Sequence, residues 1–276
     1  MPIQELHAAV LRGSIYVAGG IAEGDAVTTL AYRLDSAAGA WIRLADLPAP
    51  RHHMPLAIAA DSLYAIGGFG PGGFEPVATV WVYDATGDRW LERPPLPVAR
   101  GAGAAVEIGG RIVVVGGVGP GNALLDSIAI YEPGTGSWSH GAPILTPRDH
   151  LGAVVLDGGV YAVGGRPLDP DRNFPVLERY DPAADRWTGE PEMPTARGGL
   201  AAAVLDGAVH VLGGETSRRV FAEHEVWGPS GWRTAPPLPT PRHGLAAAAV
   251  GGRLFVIGGG PRAGLAQTAV VEVFDP

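Results

Sequence analysis

Short apolar runs that end in two glycines recur along the chain and predict buried strands. One of them, "RIVVVGG", is a continuous β-branched run, which is typical of a strand buried on both faces. The run before it, "GAGAAVEI", consists mostly of small residues, and the glycines at 109 and 110 between the two runs predict a hairpin turn. After a Gly- and Pro-rich loop, "SIAIYEP" predicts a third strand and Trp138 opens a fourth. The pattern therefore predicts a unit of four antiparallel strands, and no long helical pattern appears.

This unit recurs with a period of about 48 residues. The glycine pairs are Gly19 and Gly20, Gly67 and Gly68, Gly116 and Gly117, Gly164 and Gly165, Gly213 and Gly214, and Gly258 and Gly259. Five tryptophans recur with the same period: Trp41, Trp90, Trp138, Trp187 and Trp232. An arginine follows each tryptophan by ten residues and precedes the next glycine pair by sixteen. We call these residues the phased arginines: Arg51, Arg100, Arg148, Arg197 and Arg242. We interpret all these residues as architectural, with tryptophan packed between units and arginine bound to link carbonyls or to a neighbour's acidic turn.

The pattern resembles the kelch repeat, whose period is about 50 residues. The resemblance includes an aromatic residue before the glycine pair, as in "YAIGG" and "FVIGG", and acidic turns such as "YDATGDRW" and "YDPAADRW". It covers essentially the whole chain and implies an all-β fold, a six-bladed β-propeller of four-stranded antiparallel blades. The expected blades are residues 4–48, 49–97, 98–145, 146–194, 195–239 and 240–276.

The sixth unit departs from the others. It stops at "VEVFDP", before a sixth tryptophan, and counting back sixteen residues from Gly19 reaches Ile3. Too few residues precede Ile3 to supply a fourth strand, so the sixth blade is expected to lack its outermost strand. Kelch rings usually close by sharing a blade between both termini, whereas here the innermost strands would have to close the ring. A trimmed chain, an engineered scaffold and an edge filled by a partner all remain open.

Composition narrows the function classes. A net charge of −8, with no basic stripe, argues against a nucleic-acid partner. Cysteine is absent, which excludes a disulfide framework and a thiolate metal site, and also the cysteine–tyrosine cross-link of kelch-like copper radical oxidases. Lysine is absent too. The start "MPIQELHAAVL" shows no signal-peptide pattern and no apolar run is long enough to span a membrane, so we expect a soluble, cytoplasmic, monomeric protein without a membrane partner.

Residues that break the repeat are the candidates for function, because the blade alone does not explain them. Directly after three phased arginines come His52-His53, Asp149-His150 and His243, and the corresponding residues near the N-terminus are Gln4 and Glu5. These positions share a face with the long loops after the glycine pairs, and in kelch proteins that face commonly binds the ligand. We therefore predict a ligand face made of Glu5, His52, His53, Phe74, Glu75, Asp149, His150, Asp171, Arg172, Arg218, Arg219 and His243.

Histidines after the arginines of the second, fourth and sixth units suggest a three-histidine metal site. However, His53 and His150 are second after their arginine, whereas His52 and His243 are first. Adjacent strand residues point to opposite faces, so the three units do not share one register. We therefore predict contact with a ligand rather than a metal or cofactor. The other histidines are interpreted as a core residue and three bystanders: His210, and His7, His140 and His224.

Two function classes remain, and the fold does not decide between them. The sequence contains no nucleophile elbow, phosphate loop or zinc motif, which favours a binding module for a peptide, a protein or a small carbohydrate-like ligand. The alternative is a sugar epimerase or mutarotase at the propeller mouth, as in kelch-like sialic-acid epimerases. Its acid and base candidates are Glu5, His53, Asp149, His150 and Arg172. A scaffold without any ligand is the third hypothesis.

Overall fold

The computed structural model describes residues 1–35 and 38–275, which form eight antiparallel sheets and two 3-10 turns, Glu23–Asp25 and Pro120–Asn122. Two sheets are small: one joins Ile3–Gln4, Ile21–Ala22 and Ala26–Val27, and the other joins Val118–Gly119 and Ala123–Leu124. We call the six larger sheets blades 1 to 6 in chain order. Blades 1 to 3 consist of the strands His7–Leu11, Ser14–Ala18, Ala31–Asp35, Ala40–Arg43; Leu56–Ala59, Ser62–Ile66, Val80–Asp84, Arg89–Arg93; and Ala104–Ile108, Arg111–Val115, Ile128–Glu132, Ser137–Gly141. Blades 4 to 6 consist of Gly152–Leu156, Gly159–Val163, Leu177–Asp181, Arg186–Glu190; Ala201–Leu205, Ala208–Leu212, His224–Gly228, Gly231–Thr234; and Ala246–Val250, Arg253–Ile257, Val271–Phe274.

Consecutive strands of each blade pair with one another, so each blade is a simple antiparallel meander. The first strands of the six blades contact one another in cyclic order, and the first strand of blade 6 packs against that of blade 1. The apolar core is divided among the six interfaces between blades. At the last interface, Leu6 and Ile15 of blade 1 pack with Ala246 and Phe255 of blade 6. The predicted propeller fold, with a three-stranded sixth blade, is confirmed.

The glycine pairs end the second strands because the chain passes too close to its neighbour for a side chain. At Gly67, with φ of 61°, a Cβ atom would lie 2.4 Å from the carbonyl oxygen of Arg100 in the next blade. Its successor Gly68 donates its N–H to that oxygen at 2.9 Å. A positive φ and a backbone contact of this kind both favour glycine. At the last interface Ile3 takes the place of the arginine, accepting from Gly259 at 2.7 Å, as the spacing predicts.

The phased arginines are buried in their own blades and do not reach the acidic turn of a neighbour, which corrects that part of the expectation. Arg148 donates to the link carbonyl of Thr146 at 2.7 Å, to that of Gly164 at 2.7 Å and to Glu178 at 2.6 Å. Corresponding pairs are Arg197 with Glu225 and Arg242 with Glu272. Four of the five donate to the carbonyl of the first glycine of the pair in their own blade: Arg100, Arg148, Arg197 and Arg242. Arg51 instead donates to the carbonyl of Pro50 and to Thr79.

The tryptophans lie on the outer strands, and four of them bind the preceding blade. The indole N–H of Trp90 donates to the carbonyl of Ala45 at 3.0 Å, and Trp138, Trp187 and Trp232 make the same bond one blade further on each time. Trp41 belongs to the interface between blades 1 and 6 and is 39% exposed. It lines an apolar groove there with Ile3, Tyr32 and Val271. The three-stranded blade therefore leaves this interface open at its outer edge.

Candidate functional site

Six residues around the propeller axis form a closed ring of backbone hydrogen bonds. The N–H of each donates to the carbonyl of the equivalent residue one blade earlier, at 2.7–3.1 Å. The ring, which we call the mouth ring, consists of Glu5, His53, Ala102, His150, Gly199 and Gly244. All six have φ between 49° and 67°, a conformation that costs free energy for any residue with a Cβ. Three blades nevertheless carry a polar side chain at this position, and strain retained in this way points to a function.

The three polar side chains of the mouth ring converge. The Nε2 atom of His53 lies 2.9 Å from Glu5 Oε2 and 3.0 Å from His150 Nε2. The side chains are nine-tenths or more buried, at 10% exposure for Glu5, 6% for His53 and 10% for His150. The fixed backbone conformation aims them at the axis, and the small residues of the other three blades leave room there.

Two neighbours hold the imidazoles in place. His52 Nδ1 lies 2.6 Å from His53 Nδ1, and its Nε2 lies 3.2 Å from the carbonyl oxygen of Gly73. His150 Nδ1 contacts Asp149 Oδ1, and the other oxygen of Asp149 accepts the backbone N–H of Leu168 at 2.7 Å. The residues first after the arginines therefore do not enter the axial cluster and instead support it from outside.

Phenylalanines cover the same side of the cluster. The ring centroid of His52 lies 5.4 Å from that of Phe69 and 5.5 Å from that of Phe74. His53 makes similar contacts with both, at 5.5 and 5.8 Å. Phe69 is fully buried, whereas Phe74 remains 58% exposed and forms part of the rim.

The cluster belongs to a closed circuit of polar side chains. Arg166 lies 3.5 Å from Asp149 and donates to Glu215 at 3.0 Å. His243 Nε2 lies 3.4 Å from Glu215 Oε2 and 3.8 Å from Glu5 Oε1. The mouth circuit therefore runs through Asp149, Arg166, Glu215, His243, Glu5, His53, His150 and back to Asp149. Its members come from blades 1, 2, 4, 5 and 6, so only the assembled ring creates it.

Arg166 and Glu215 are not among the predicted site residues, although the sequence contains a signal for them. Each directly follows a glycine pair, at a position that the other blades fill with the uncharged residues Ile21, Phe69, Val118 and Gly260. Two charged residues at this position break the repeat as clearly as the histidines do. The same criterion, applied to every repeat position, identifies both.

Burial and neighbouring charges set the ionisation of the cluster. Burial alone would raise the pKa of Glu5, but the positive charge of His53 and its hydrogen bond outweigh this and bring the pKa well below the usual range. Burial likewise opposes ionisation of Asp149, yet the contact with His150 lowers the pKa of Asp149. Burial lowers the pKa of His150, helped by the charge of Arg166, and burial together with the charge of His53 lowers the pKa of His52 to about 4. The ionised carboxylate of Asp149 therefore faces an imidazole, that of His150, whose protonation is disfavoured.

A narrow channel continues from the mouth ring along the axis, between the first strands of the blades. It is lined largely by alanine and glycine, and its water-accessible space is about 100 Å³. His7 lines it two residues after Glu5, and burial, with the charge of His53, lowers the pKa of His7 to about 4. The sequence pattern makes His7 a bystander, whereas the structure places it beneath the cluster. Several water molecules fit such a space.

The other predicted ligand-face residues lie apart from the circuit. Asp171 binds Ser217 Oγ at 2.7 Å, and Arg219 pairs with Glu223 and stacks 4.3 Å from the ring centroid of Phe221. They and the remaining members of this group are exposed on the loops: Glu75, Asp171, Arg172, Arg218 and Arg219. These charges therefore surround the mouth without converging on it.

Comparisons with known proteins agree with the repeat pattern and the fold. The Kelch motif matches residues 99–144 and 147–194, which contain blades 3 and 4. The solved "Structure of YjhT" is 17% identical, with a TM-score of 0.89 over 100% of this chain and 95% of that one. A search of curated proteins found no match. The kelch-repeat resemblance is confirmed, whereas a structural likeness at this identity shows the fold alone. The 578 matching chains of solved structures make the fold too common to name a function.

Within residues 1–35 and 38–275, no helix is long and apolar enough to cross a membrane.

Proposed function

We propose that this kelch-repeat propeller is a binding module that takes up a small polar ligand at its mouth. The observation that carries the proposal is the mouth circuit, which brings ionisable side chains from five blades to one point on the axis. Ligand sites usually combine an enclosed position with a few polar groups that fix the ligand's orientation. A cytoplasmic location and a monomeric state stay predictions.

The shape of the mouth favours a small ligand or a small head group. The axial side chains are nine-tenths or more buried and the channel below them has only about 100 Å³ of water-accessible space, so a contacting group must be compact. Around them the loops of blades 2, 4 and 6 present exposed apolar side chains, Phe74, Leu168 and Leu265. Leu168 has a φ of 66°, which is unusual for a residue with a Cβ. A polar group at the centre with apolar surface around it fits this arrangement.

Ligand-observed NMR tests the proposal even though the ligand is unidentified. The probes are a panel of monosaccharides, hydroxy acids, amino acids and short peptides, each examined by saturation transfer from the full chain. We expect transfer to at least one class, its loss in Glu5→Gln and His53→Ala, and its retention in His140→Ala. His140 is an exposed histidine on the outer strand of blade 3 and serves as the matched control. Transfer that persists in both mouth variants, or none from the whole panel, would refute the proposal.

A sugar epimerase or mutarotase is the second candidate, and one contact favours it. Glu5, an ionised carboxylate, lies 2.9 Å from the imidazole of His53, so a base and a proton donor sit side by side. The assay dissolves one anomer of a reducing sugar and follows its equilibration by NMR with and without protein. Acceleration that disappears in Glu5→Gln would support catalysis. Equal rates with and without protein, for sugars that bind, would leave a binding module.

A further inference from the structure

The hydrogen-bond partners of the two axial imidazoles determine where their protons lie. The carbonyl of Gly73 can only accept, so His52 carries its proton on Nε2 and, as a neutral ring, offers a lone pair at Nδ1. His53 must then donate from Nδ1 across the 2.6 Å contact. In the same way His150 donates from Nδ1 to the carboxylate of Asp149. A protonated His53 donates from Nε2 to Glu5, but metal binding requires the neutral rings, in which the Nε2 atoms of both His53 and His150 bear lone pairs.

Three lone-pair atoms therefore meet at the mouth. One ligand atom from each of Glu5, His53 and His150 lies within 4.8 Å of the other two. His53 Nε2 lies 2.9 Å from Glu5 Oε2 and 3.0 Å from His150 Nε2. Electron pairs at such distances repel unless a cation lies between them. A single proton on His53 Nε2 cannot point at both neighbours with good geometry. A metal ion satisfies all three at once.

Two of the three separations suit a metal ion, and the third, which is at most 4.8 Å, must shorten when the ion binds. Nitrogen and oxygen ligands at 2.0–2.1 Å around tetrahedral zinc lie about 3.3 Å apart. The separations of 2.9 and 3.0 Å are within a few tenths of this distance. Glu5 has the most flexible of the three side chains and can move to equalise the distances.

The surroundings resemble the outer shell of a metal site. Imidazole ligands usually donate their second N–H to a carboxylate, a carbonyl or water, which fixes the tautomer and raises the basicity of the ligand. Asp149 serves His150 in this way, and Asp149 is itself held by Leu168 and Arg166. His52 does the same for His53 and is anchored on Gly73.

We propose that Glu5, His53 and His150 bind one divalent transition-metal ion at the propeller mouth, with zinc the best fit. Two imidazole nitrogens and one carboxylate favour zinc or iron over calcium and magnesium, which prefer oxygen ligands only. Ala102, Gly199 and Gly244 contribute no side-chain donor from the other half of the mouth ring, so further coordination positions stay open for water or a ligand group. The inference rests on the proposed function, since the metal would be the group that contacts the ligand.

Calorimetric titration of the full chain, free of a histidine tag and treated with chelator, tests the proposal with zinc chloride as the probe. We expect one zinc per chain, released protons, and a cobalt complex with visible absorption. Zinc affinity should fall at least 100-fold in His150→Ala and His53→Ala, and about 10–100-fold in Asp149→Asn, which removes only the outer partner. His140→Ala should bind as the unmodified chain does.

Glu5→Gln keeps the size of the side chain and so tests the site even where a histidine variant fails to fold, which circular dichroism would reveal. Its zinc affinity should fall at least tenfold. Zinc binding absent from the unmodified chain, or unchanged in both Glu5→Gln and His150→Ala, would overturn the proposal. Saturation transfer from the chelator-treated chain separates the two claims. If organic ligands bind but zinc does not, the proposed function stands and the metal site is refuted. If zinc binds but no organic ligand does, the metal site stands and the proposed function is refuted.

Discussion

A comparison of Gly244→Ala with Gly199→Ala distinguishes displacement of the Glu5 carboxylate from a general loss of stability in the mouth ring. Gly244 and Gly199 occupy equivalent ring positions, with φ of 54° and 67°. A Cβ at Gly199 would have its nearest neighbour at 3.6 Å, an ordinary contact, whereas at Gly244 it would lie 2.5 Å from Glu5 Oε1. Ala102 already occupies this position in blade 3 with φ of 53°, so the ring accommodates alanine. The two variants thus impose the same backbone strain, and only one disturbs the carboxylate.

The expected magnitudes follow from these distances. Each substitution should lower the free energy of unfolding by about 1–2 kcal/mol, the cost of a side chain in the left-handed region. In Gly244→Ala the carboxylate of Glu5 must also move by roughly 0.9 Å to reach normal contact distance. A metal ligand must lie within about 0.2 Å of its proper distance, so we expect zinc affinity to fall at least tenfold in Gly244→Ala and to stay unchanged in Gly199→Ala.

Urea unfolding and calorimetric zinc titration of both variants provide the measurements. Equal zinc affinities in the two variants would refute the argument that Glu5 is a ligand. A much larger loss of stability in Gly244→Ala than in Gly199→Ala would show that the Glu5 side chain cannot move aside, which would refute the assignment of the added contact to a flexible group.

Two further predictions concern stability. Trp90→Ala should lower the free energy of unfolding by about 3–5 kcal/mol, because it leaves a cavity at an interface between blades and removes a hydrogen bond to a link carbonyl. Trp41→Ala should lower it much less, because Trp41 is already 39% exposed. Equal urea midpoints for the two variants would contradict this prediction. Burial, the largest cause in each case, lowers the pKa of His7, His52 and His224 from 6.5 to about 4. The unfolded chain therefore binds more protons between these values, so stability is complete above pH 6.5 and lost as the pH falls towards 4, by up to about 3 kcal/mol per histidine. Urea midpoints that stay constant across this window would contradict the prediction.

The fold is predictable from the sequence because the repeat constrains it at every blade. The spacing between each phased arginine and the next glycine pair is sixteen residues, and the structure shows the reason. The carbonyl of Arg148 accepts from Gly117 of the blade before it, while its guanidinium group binds the carbonyl of Gly164, sixteen residues on. A change of one residue in this spacing would misplace the second contact relative to the first. The acidic partner of the arginine is the second residue of the third strand in blades 4 to 6 only, as Glu178, Glu225 and Glu272, so the spacing that all blades share does not predict it.

The site is harder to predict because it depends on distances across the ring. The sequence places Glu5, His53 and His150 in one register, each second after Ile3 or a phased arginine, but does not show that the three side chains converge. In the sequence, the mismatch with His52 and His243 argues against a metal site. The structure shows instead that the residues first after the arginine, such as His52 and His243, orient or surround the axial side chains. The residues second after the arginine are the ones that reach the axis.

The location of Glu5 also connects the site to the interface between blades 1 and 6. Glu5 lies in blade 1, and its N–H donates to Gly244 of blade 6 at 2.7 Å, across the interface that is open at its outer edge. A ligand or metal ion that joins Glu5 to His53 and His150 connects blades 1, 2 and 4 and is lost when this interface opens. Binding must therefore stabilise the closed ring by the amount that mass action gives, about 2.7 kcal/mol at a hundredfold excess over the dissociation constant. Closure of the ring at this interface and binding at the mouth are thus thermodynamically linked.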